Sequence, residues 1–449
     1  LASLYAGMMQ FDRAVIEYCN ILLRQPEQLN SIKARIGNYL FRSDALHVTI
    51  DYVKTFINKY QTTPLLELLI HLYKYTGQFD EAFSYLRLLT EKFNPTEKII
   101  FEFANEALDK NQFKTSCDAF ELLIAHYPNS PNLDFAKLGY TKSLEAFLQA
   151  EESNNVELWN PFISMNQTNL EKYNNVLSRY LSLVSSSNKS EIICESFFRS
   201  GLILKNIFKR LDSADSLFNI IINLFPGSQY LQNAYVQLSD DAIRLNKLDQ
   251  AEKYLQKAIE FKQDINKQQT YARYLEAKID FWQNNFHDAS RLLSEFTKDL
   301  SNELSNDAVE LLLLTNIMKV DSVNLSVYSR ADLLLYQKKY SPALETFNSL
   351  ALSETNIIIR ELSKLNIVQI LISQNKFPEA IAQLHEIINS DKSKIFADKA
   401  LFLLAQIYQY GFKNSIKALS IYENLLAKYP NSLYLDKARE NIMFLKPNH

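Results

Sequence analysis

Residues 64–95 read PLLELLIHLYKYTGQFDEAFSYLRLLTEKFNP, and the reading of this stretch decides the fold. Leu66, Leu69 and Tyr73 recur three and four residues apart, which places them on one face of a helix. Gly77 ends that helix, Phe79 and Ala82 open a second, and Leu86 and Leu89 carry its apolar stripe to a stop at Pro95. The spacing predicts a helix, a tight turn and a second helix in about 34 residues. A small residue such as Ala82 is what two helices require where they touch.

The same mark, an aromatic residue or leucine followed three positions later by alanine, recurs along the chain. It stands at Phe11–Ala14, Phe79–Ala82, Leu211–Ala214, Leu248–Ala251, Phe286–Ala289, Tyr340–Ala343 and Phe377–Ala380. Within QFKTS, Ser116 takes the place of alanine, 34 residues after Ala82, and later spacings reach 37 (Ala214 to Ala251) or 38 (Ala251 to Ala289). Two units share a longer turn, IFKRLDSA ending at Ala214 and GFKNSIKA ending at Ala418. HYPNS at 126–130, LFPGS at 224–228 and KYPNS at 428–432 each stop a second helix with Pro and offer Asn or Ser to cap the next. Periods of this length suit helical pairs stacked on one another.

The 64–95 unit resembles the tetratricopeptide repeat, and the opening LASLYAGMMQFDRA fits the L-A-x-x-Y and later F-x-x-A of that repeat. The resemblance implies an all-α fold, a right-handed α–α superhelix of about ten helix-turn-helix units. Residues 1–150 then form N-terminal units with the first truncated, 151–189 an expanded irregular unit and 190–300 central units. Residues 301–449 form C-terminal units, with an extra helix at their start and a capping helix at their end. Three stretches depart from the period. It is degenerate from Ser31 to Tyr60, EESNNVELWNPF interrupts the 151–189 unit, and NDAVELLLLTNIM inserts a helix before the repeat of Tyr340. Insertions in such arrays fall on one face, so they are candidates for partner contacts as well as spacers. Leu1 falls inside a first helix, so further sequence is expected ahead of it, with any targeting signal. The half-charged LYLDKARENIMFLK reads as the closing helix, with the C-terminus near His449.

Composition excludes several alternatives. Seven glycines in 449 residues lie far below the usual share of about 7%, which disfavours folds rich in left-handed turns. Gly37, Gly139 and Gly201 fall within apolar helical patterns, where close helix crossings are expected, and Gly77, Gly227 and Gly411 fall at helix ends. Forty-eight basic and 51 acidic residues leave a net charge of −3 without a run of five Lys/Arg, so nucleic acid is not an expected partner. Cys19, Cys117 and Cys194 lack the spacing of a disulfide framework or a zinc site and read as buried thiols. No apolar run reaches 18 residues, so no membrane span is expected in the visible chain.

Catalytic patterns are absent as well. His47, His71, His126, His287, His385 and His449 lack HxxxH or HxxE spacing, and no GxGxxG, GxxxxGK[ST] or GxSxG occurs. Glu151 with Glu152 and Asp240 with Asp241 are adjacent, which on a helix turns them about 100° apart. The chain is therefore read as no enzyme, with no catalytic residue, cofactor or metal. The resemblance implies that first helices line a concave face, where Glu67, His71, Lys74, Lys98, Asn105, Asn233, Asp240 and Gln369 would meet a partner. Some members of the family hold a peptide C-terminal carboxylate with paired Lys and Asn; Lys98 and Asn105 offer part of that pattern, and Glu67 and His71 do not complete it. The expected function is a protein-interaction scaffold that binds a peptide or helix of another protein. Its YPNS-type junctions resemble those of bacterial envelope repeat proteins, which implies a periplasmic or outer-membrane setting. The alternatives are a cytoplasmic regulator or chaperone adaptor, and the non-catalytic part of a larger enzyme.

Overall fold

The computed structural model describes residues 1–153, 159, 169–260, 267–298, 304–352, 356–389 and 394–446. They form 24 α-helices and no strand among the described residues. Most of the interruption expected at EESNNVELWNPF lies outside the described residues.

Two compact units divide the chain, one of Leu1–Ala150 with Glu171–Ser196, the other of Glu151–Leu170 with Phe197–His449. The first unit is built from α1 (Ala2–Gly7), α2 (Phe11–Arg24), α3 (Leu29–Gly37), α4 (Ser43–Lys59) and α5 (Thr63–Tyr75). It continues through α6 (Phe79–Phe93), α7 (Glu97–Asp109), α8 (Phe113–His126), α9 (Leu133–Ser153) and α10 (Leu170–Ser186). After α11 (Ser190–Asn206), the second unit holds α12 (Leu211–Leu224), α13 (Leu231–Arg244), α14 (Leu248–Ile259), α15 (Lys267–Trp282) and α16 (Phe286–Phe296). Next come α17 (Ser305–Thr315), α18 (Ser322–Tyr336), α19 (Tyr340–Leu352) and α20 (Ile357–Ser373). The chain closes with α21 (Phe377–Asn389), α22 (Ala397–Gln406), α23 (Ser415–Lys428) and α24 (Leu435–Leu445).

Each second-helix mark begins a helix. Ala14, Ala82, Ala214, Ala251, Ala289, Ala343, Ala380 and Ala418 are all fully buried, because a methyl group is all that fits where the two helices of a hairpin cross. Four residues on, one turn further along the same face, Leu86, Phe120, Phe218, Leu255, Leu293, Phe347, Leu384 and Tyr422 fill the space beside that contact. Each such side chain is worth about 1.5–3 kcal/mol of burial. Ser116 is tolerated in the alanine position because its hydroxyl donates to the Ala104 carbonyl at 2.7 Å and lies 2.8 Å from the Ser143 hydroxyl. In the degenerate stretch, buried Ala45 and Thr49 of α4 stand where other units have Ala and Leu, and the threonine hydroxyl donates to the Ala45 carbonyl at 2.7 Å.

The turns explain how so few glycines suffice. Two residues before nine of the second helices, though not before α4, stands a left-handed residue: Met9, Gly77, Asn111, Lys209, Asn246, Asn284, Lys338, Asn375 or Lys413. The following amide then returns to the carbonyl five residues back, as from Gln78 to Tyr73 at 2.9 Å and from Asn285 to Asp280 at 2.8 Å. The two longer turns noted in the sequence share a different register, reaching six residues back from Arg210 to Leu204 at 2.9 Å and from Asn414 to Tyr408 at 2.7 Å. In the second case the first helix ends in a π-turn, Ile407–Gly411. At the three Pro junctions, Ser130, Ser228 and Ser432 accept the amide two residues on, at 2.9–3.1 Å, and aim the chain into its next helix.

Close helix crossings do occur at Gly139 and Gly201. A methyl group there would stand 2.3 Å from the Phe120 ring and 2.6 Å from the Phe218 ring respectively. Gly37 differs from its expectation: it ends α3 with open space around it, so no crossing depends on it.

Candidate functional site

In the second unit, the first helices of the hairpins carry a second stripe, apart from the one that packs on alanine. It runs through Asp240 and Arg244 on α13, Tyr271, Tyr274 and Lys278 on α15, Tyr328, Asp332 and Tyr336 on α18, and Asn366 and Gln369 on α20. These positions repeat at three and four residues, so each set faces the same way from its helix. Together they line a recess of about 500 Å³. The inserted helix α17 supplies another wall through Asp307, Glu310, Leu311 and Leu314, and Lys399 at the start of α22 joins it. The extra segment seen in the sequence is thus part of the recess and not a spacer.

Most charges here satisfy one another. The buried Lys205 ammonium lies 2.7 Å from Asp240 and 2.9 Å from Asp241, and Arg244 Nε lies 3.0 Å from Asp240. Tyr336 donates to Asp240 at 2.6 Å. Burial pushes the Asp240 carboxyl up, but Lys205 and Arg244 outweigh it and hold the group below the ordinary carboxylate range. On α18, Asp332 accepts from Trp282 Nε1 at 2.7 Å and pairs with Lys278 at 3.2 Å, whose ammonium also lies over the rings of Trp282 and Tyr336. Lys399 pairs with Glu310; burial opposes its charge, yet the carboxylate prevails and raises the ammonium above its ordinary value. Asn366 donates to the Tyr328 hydroxyl at 2.8 Å.

Other groups stay free among the described residues. Asp307 has no ion pair, and burial, followed by its neighbour Glu310, raises its carboxyl. Lys338 sits on the left-handed turn after α18 without a carboxylate partner, lowered first by burial and then by Arg244 and Lys209. The Gln369 amide and the Tyr274 hydroxyl make no hydrogen bond among the described residues and open on the recess.

The first unit has a smaller counterpart of about 130 Å³, lined by Lys33, Glu67, Ile70, His71, Lys74 and parts of α6 and α7. Lys33 lies 3.9 Å from Glu67, and Lys74 pairs with Glu106. Burial, then Lys33 and Lys74, lower the His71 imidazole, which keeps it neutral at pH 7.

Of the residues expected to meet a partner, Glu67, His71 and Lys74 share this small cleft, and Asp240 and Gln369 share the larger recess. Lys98 and Asn105 line neither. Lys98 is 78% exposed beside Glu102 at 3.6 Å, and the Asn105 amide donates back to the Phe101 carbonyl of its own helix. Asn233 is half-buried on α13 outside the recess. The sequence reading missed Tyr271, Lys278, Asp332 and Tyr336, although the i, i+3 and i+4 stripe in TYARYLEAKIDFW and in YSRADLLLY was available as a signal. Cys19 and Cys194 are buried, and burial pushes the Cys19 thiol up to about 12, which keeps it protonated at neutral pH. No group of three or more His, Cys, Asp or Glu among the described residues could hold a metal, and no helix there is long and apolar enough to cross a membrane.

Residues 399–432 match the family model described as tetratricopeptide repeat. A search of curated proteins returns no match. Among solved structures, a tetratricopeptide repeat protein from Parabacteroides merdae is 13% identical with a TM-score of 0.35, over 70% of this chain and 98% of that one. The C-terminal part of a repeat-containing protein from Cytophaga hutchinsonii is 12% identical with a TM-score of 0.32, over 76% of this chain and 99% of that one. Yeast Tom70 is 14% identical with a TM-score of 0.25, over 94% and 95%.

Proposed function

We propose that the chain, whose residues 399–432 match the tetratricopeptide repeat model, is a non-catalytic scaffold that holds an extended segment of a partner protein in the recess of its second unit. The observation that carries this is α17. A helix outside the repeat period forms a wall of that recess and brings Asp307 and Glu310 to it. An insertion that only spaced two repeats would have no cause to present charged side chains to a cavity already lined by five tyrosines. The free Gln369 amide beside Asn366 is suited to a peptide backbone, since an amide both donates and accepts.

The setting we propose is a bacterial envelope assembly, supported by the three Pro-containing junctions. Recovery of the protein with periplasmic or outer-membrane fractions would agree, and recovery wholly with the cytosol would contradict it. The recess reading is tested by fluorescence polarisation of labelled random-sequence peptides against the full chain and its Asn366→Ala/Gln369→Ala variant. Saturable binding that the variant weakens by about tenfold is expected. Binding that the variant leaves unchanged would contradict the reading.

A further inference from the structure

Resting on the recess as partner site, we infer that it selects a segment charged at both ends of its buried stretch: a basic side chain at Asp307, an acidic one at Arg244 and Lys338. The walls neutralise most of their own charge through Lys205 with Asp240, Lys278 with Asp332 and Lys399 with Glu310. What is left is one unpaired carboxylate, Asp307, and a cationic pair, Lys338 with the outer nitrogens of Arg244.

These remnants have different surroundings. The charged groups that act on Asp307 are Glu310, Lys399, Lys278 and Lys437. Those that act on Lys338 are Arg244, Lys209, Asp240 and Lys205. Asp307 stands one turn before Glu310, whose carboxylate holds Lys399 of α22, whereas Arg244 stands one turn after Asp240, whose carboxylate takes Lys205 and the Tyr336 hydroxyl, so the free carboxylate and the free cations belong to different walls of the recess. Tyr336 lies between them, its hydroxyl on Asp240 and its ring beneath Lys278.

A ligand of a single sign would gain at one end and be repelled at the other. An all-acidic segment or a nucleic-acid backbone would meet Asp307 and Glu310; an all-basic segment would meet Lys338, Arg244 and Lys209. Between the ends the free groups are uncharged, the Gln369 amide and the Tyr274 hydroxyl, which fit peptide backbone and not a further charge. A volume of about 500 Å³ is within the range of sites that bury a short segment.

The probe is a set of four labelled five-residue peptide pools with blocked termini and neutral central residues. Their end residues are Lys with Glu in both orders, Lys with Lys, Glu with Glu, or Ser with Ser. Binding to the full chain is read by fluorescence polarisation. The Lys/Glu pool is expected to bind about tenfold more tightly than the others. Asp307→Asn should remove that advantage and tighten the Glu/Glu pool, whose repulsion it relieves, and Lys338→Asn should remove it and tighten the Lys/Lys pool. Both side chains reach solvent through the open recess although its walls partly desolvate them, and Asn accepts the left-handed backbone of position 338, so both variants should keep the parent melting curve. If a single-sign or neutral pool bound as tightly, or if neither variant altered the preference, the two-ended selection would be overturned. The partner-site reading would then still stand wherever Gln369→Ala weakened binding. If no pool bound at all, both would fall.

Discussion

The small cleft of the first unit and the recess of the second arise from the same hairpins, yet only one of them leaves charge unspent. In the first, side chains of α3, α5, α6 and α7 meet with no inserted helix among them, and each charge near His71 has its own partner. In the second, α17 breaks the period, widens the space to about 500 Å³ and brings in a carboxylate with no cation to answer it. The difference teaches that regular repeats build the frame, and that a departure from the period makes a site.

The strongest way to break that comparison is to part the helices that hold either space. Ala82→Glu in the first unit and Ala251→Glu in the second place a carboxylate at fully buried contacts, and each should cost about 3–5 kcal/mol. Thermal melting followed by circular dichroism should show early unfolding for both. Unchanged melting would mean that the alanine register is wrong.

Gly139→Ala is the next largest. Its methyl group would stand 2.3 Å from the Phe120 ring, which should destabilise the first unit by about 1–3 kcal/mol. Gly37→Ala, in open space, should instead stabilise α3 by about 0.5–1 kcal/mol in chemical denaturation. The same outcome for both glycines would mean that the α8–α9 crossing is misplaced.

A smaller effect separates the units by pH. Asp215 faces Asp241, with Lys205, Asp240, Arg244 and Asp212 around the pair, and burial followed by Asp241 pushes its carboxyl up to about 7. A raised carboxyl contributes stability that is intact below the unfolded value near 3.8 and lost as pH rises through about 7. Melting of the second unit should therefore fall by about 3 °C between pH 5 and pH 8, and Asp215→Asn should flatten that slope. A slope that survives in the variant would place the proton elsewhere.

Much of the frame was legible because it depends on neighbours in sequence. Ala82, Leu86 and Pro95 announce a hairpin within one unit, and the longer turns before Ala214 and Ala418 proved to share one hydrogen-bond register. The left-handed turns were less legible. The low glycine count pointed away from such turns, whereas Asn and Lys occupy most of them here, and Lys has no intrinsic mark for that conformation. The recess was legible only in part, through Asp240 and Gln369. It depends on pairs such as Tyr336 with Asp240 and Lys399 with Glu310, about ninety residues apart, which no local spacing can announce. Lys98 and Asn105 show the converse: a sound first-helix position does not keep a side chain from pairing on its own helix.

The central claim is that partners enter the recess walled by α17 and not the self-paired cleft of the first unit. It is tested most directly by placing a photo-crosslinking benzoylphenylalanine at Gln369 in one variant of the full chain and at His71 in another, each irradiated with the Lys/Glu peptide pool. The account predicts peptide adducts at position 369 and few or none at position 71. Adducts chiefly at position 71, or equal yields at both, would contradict it.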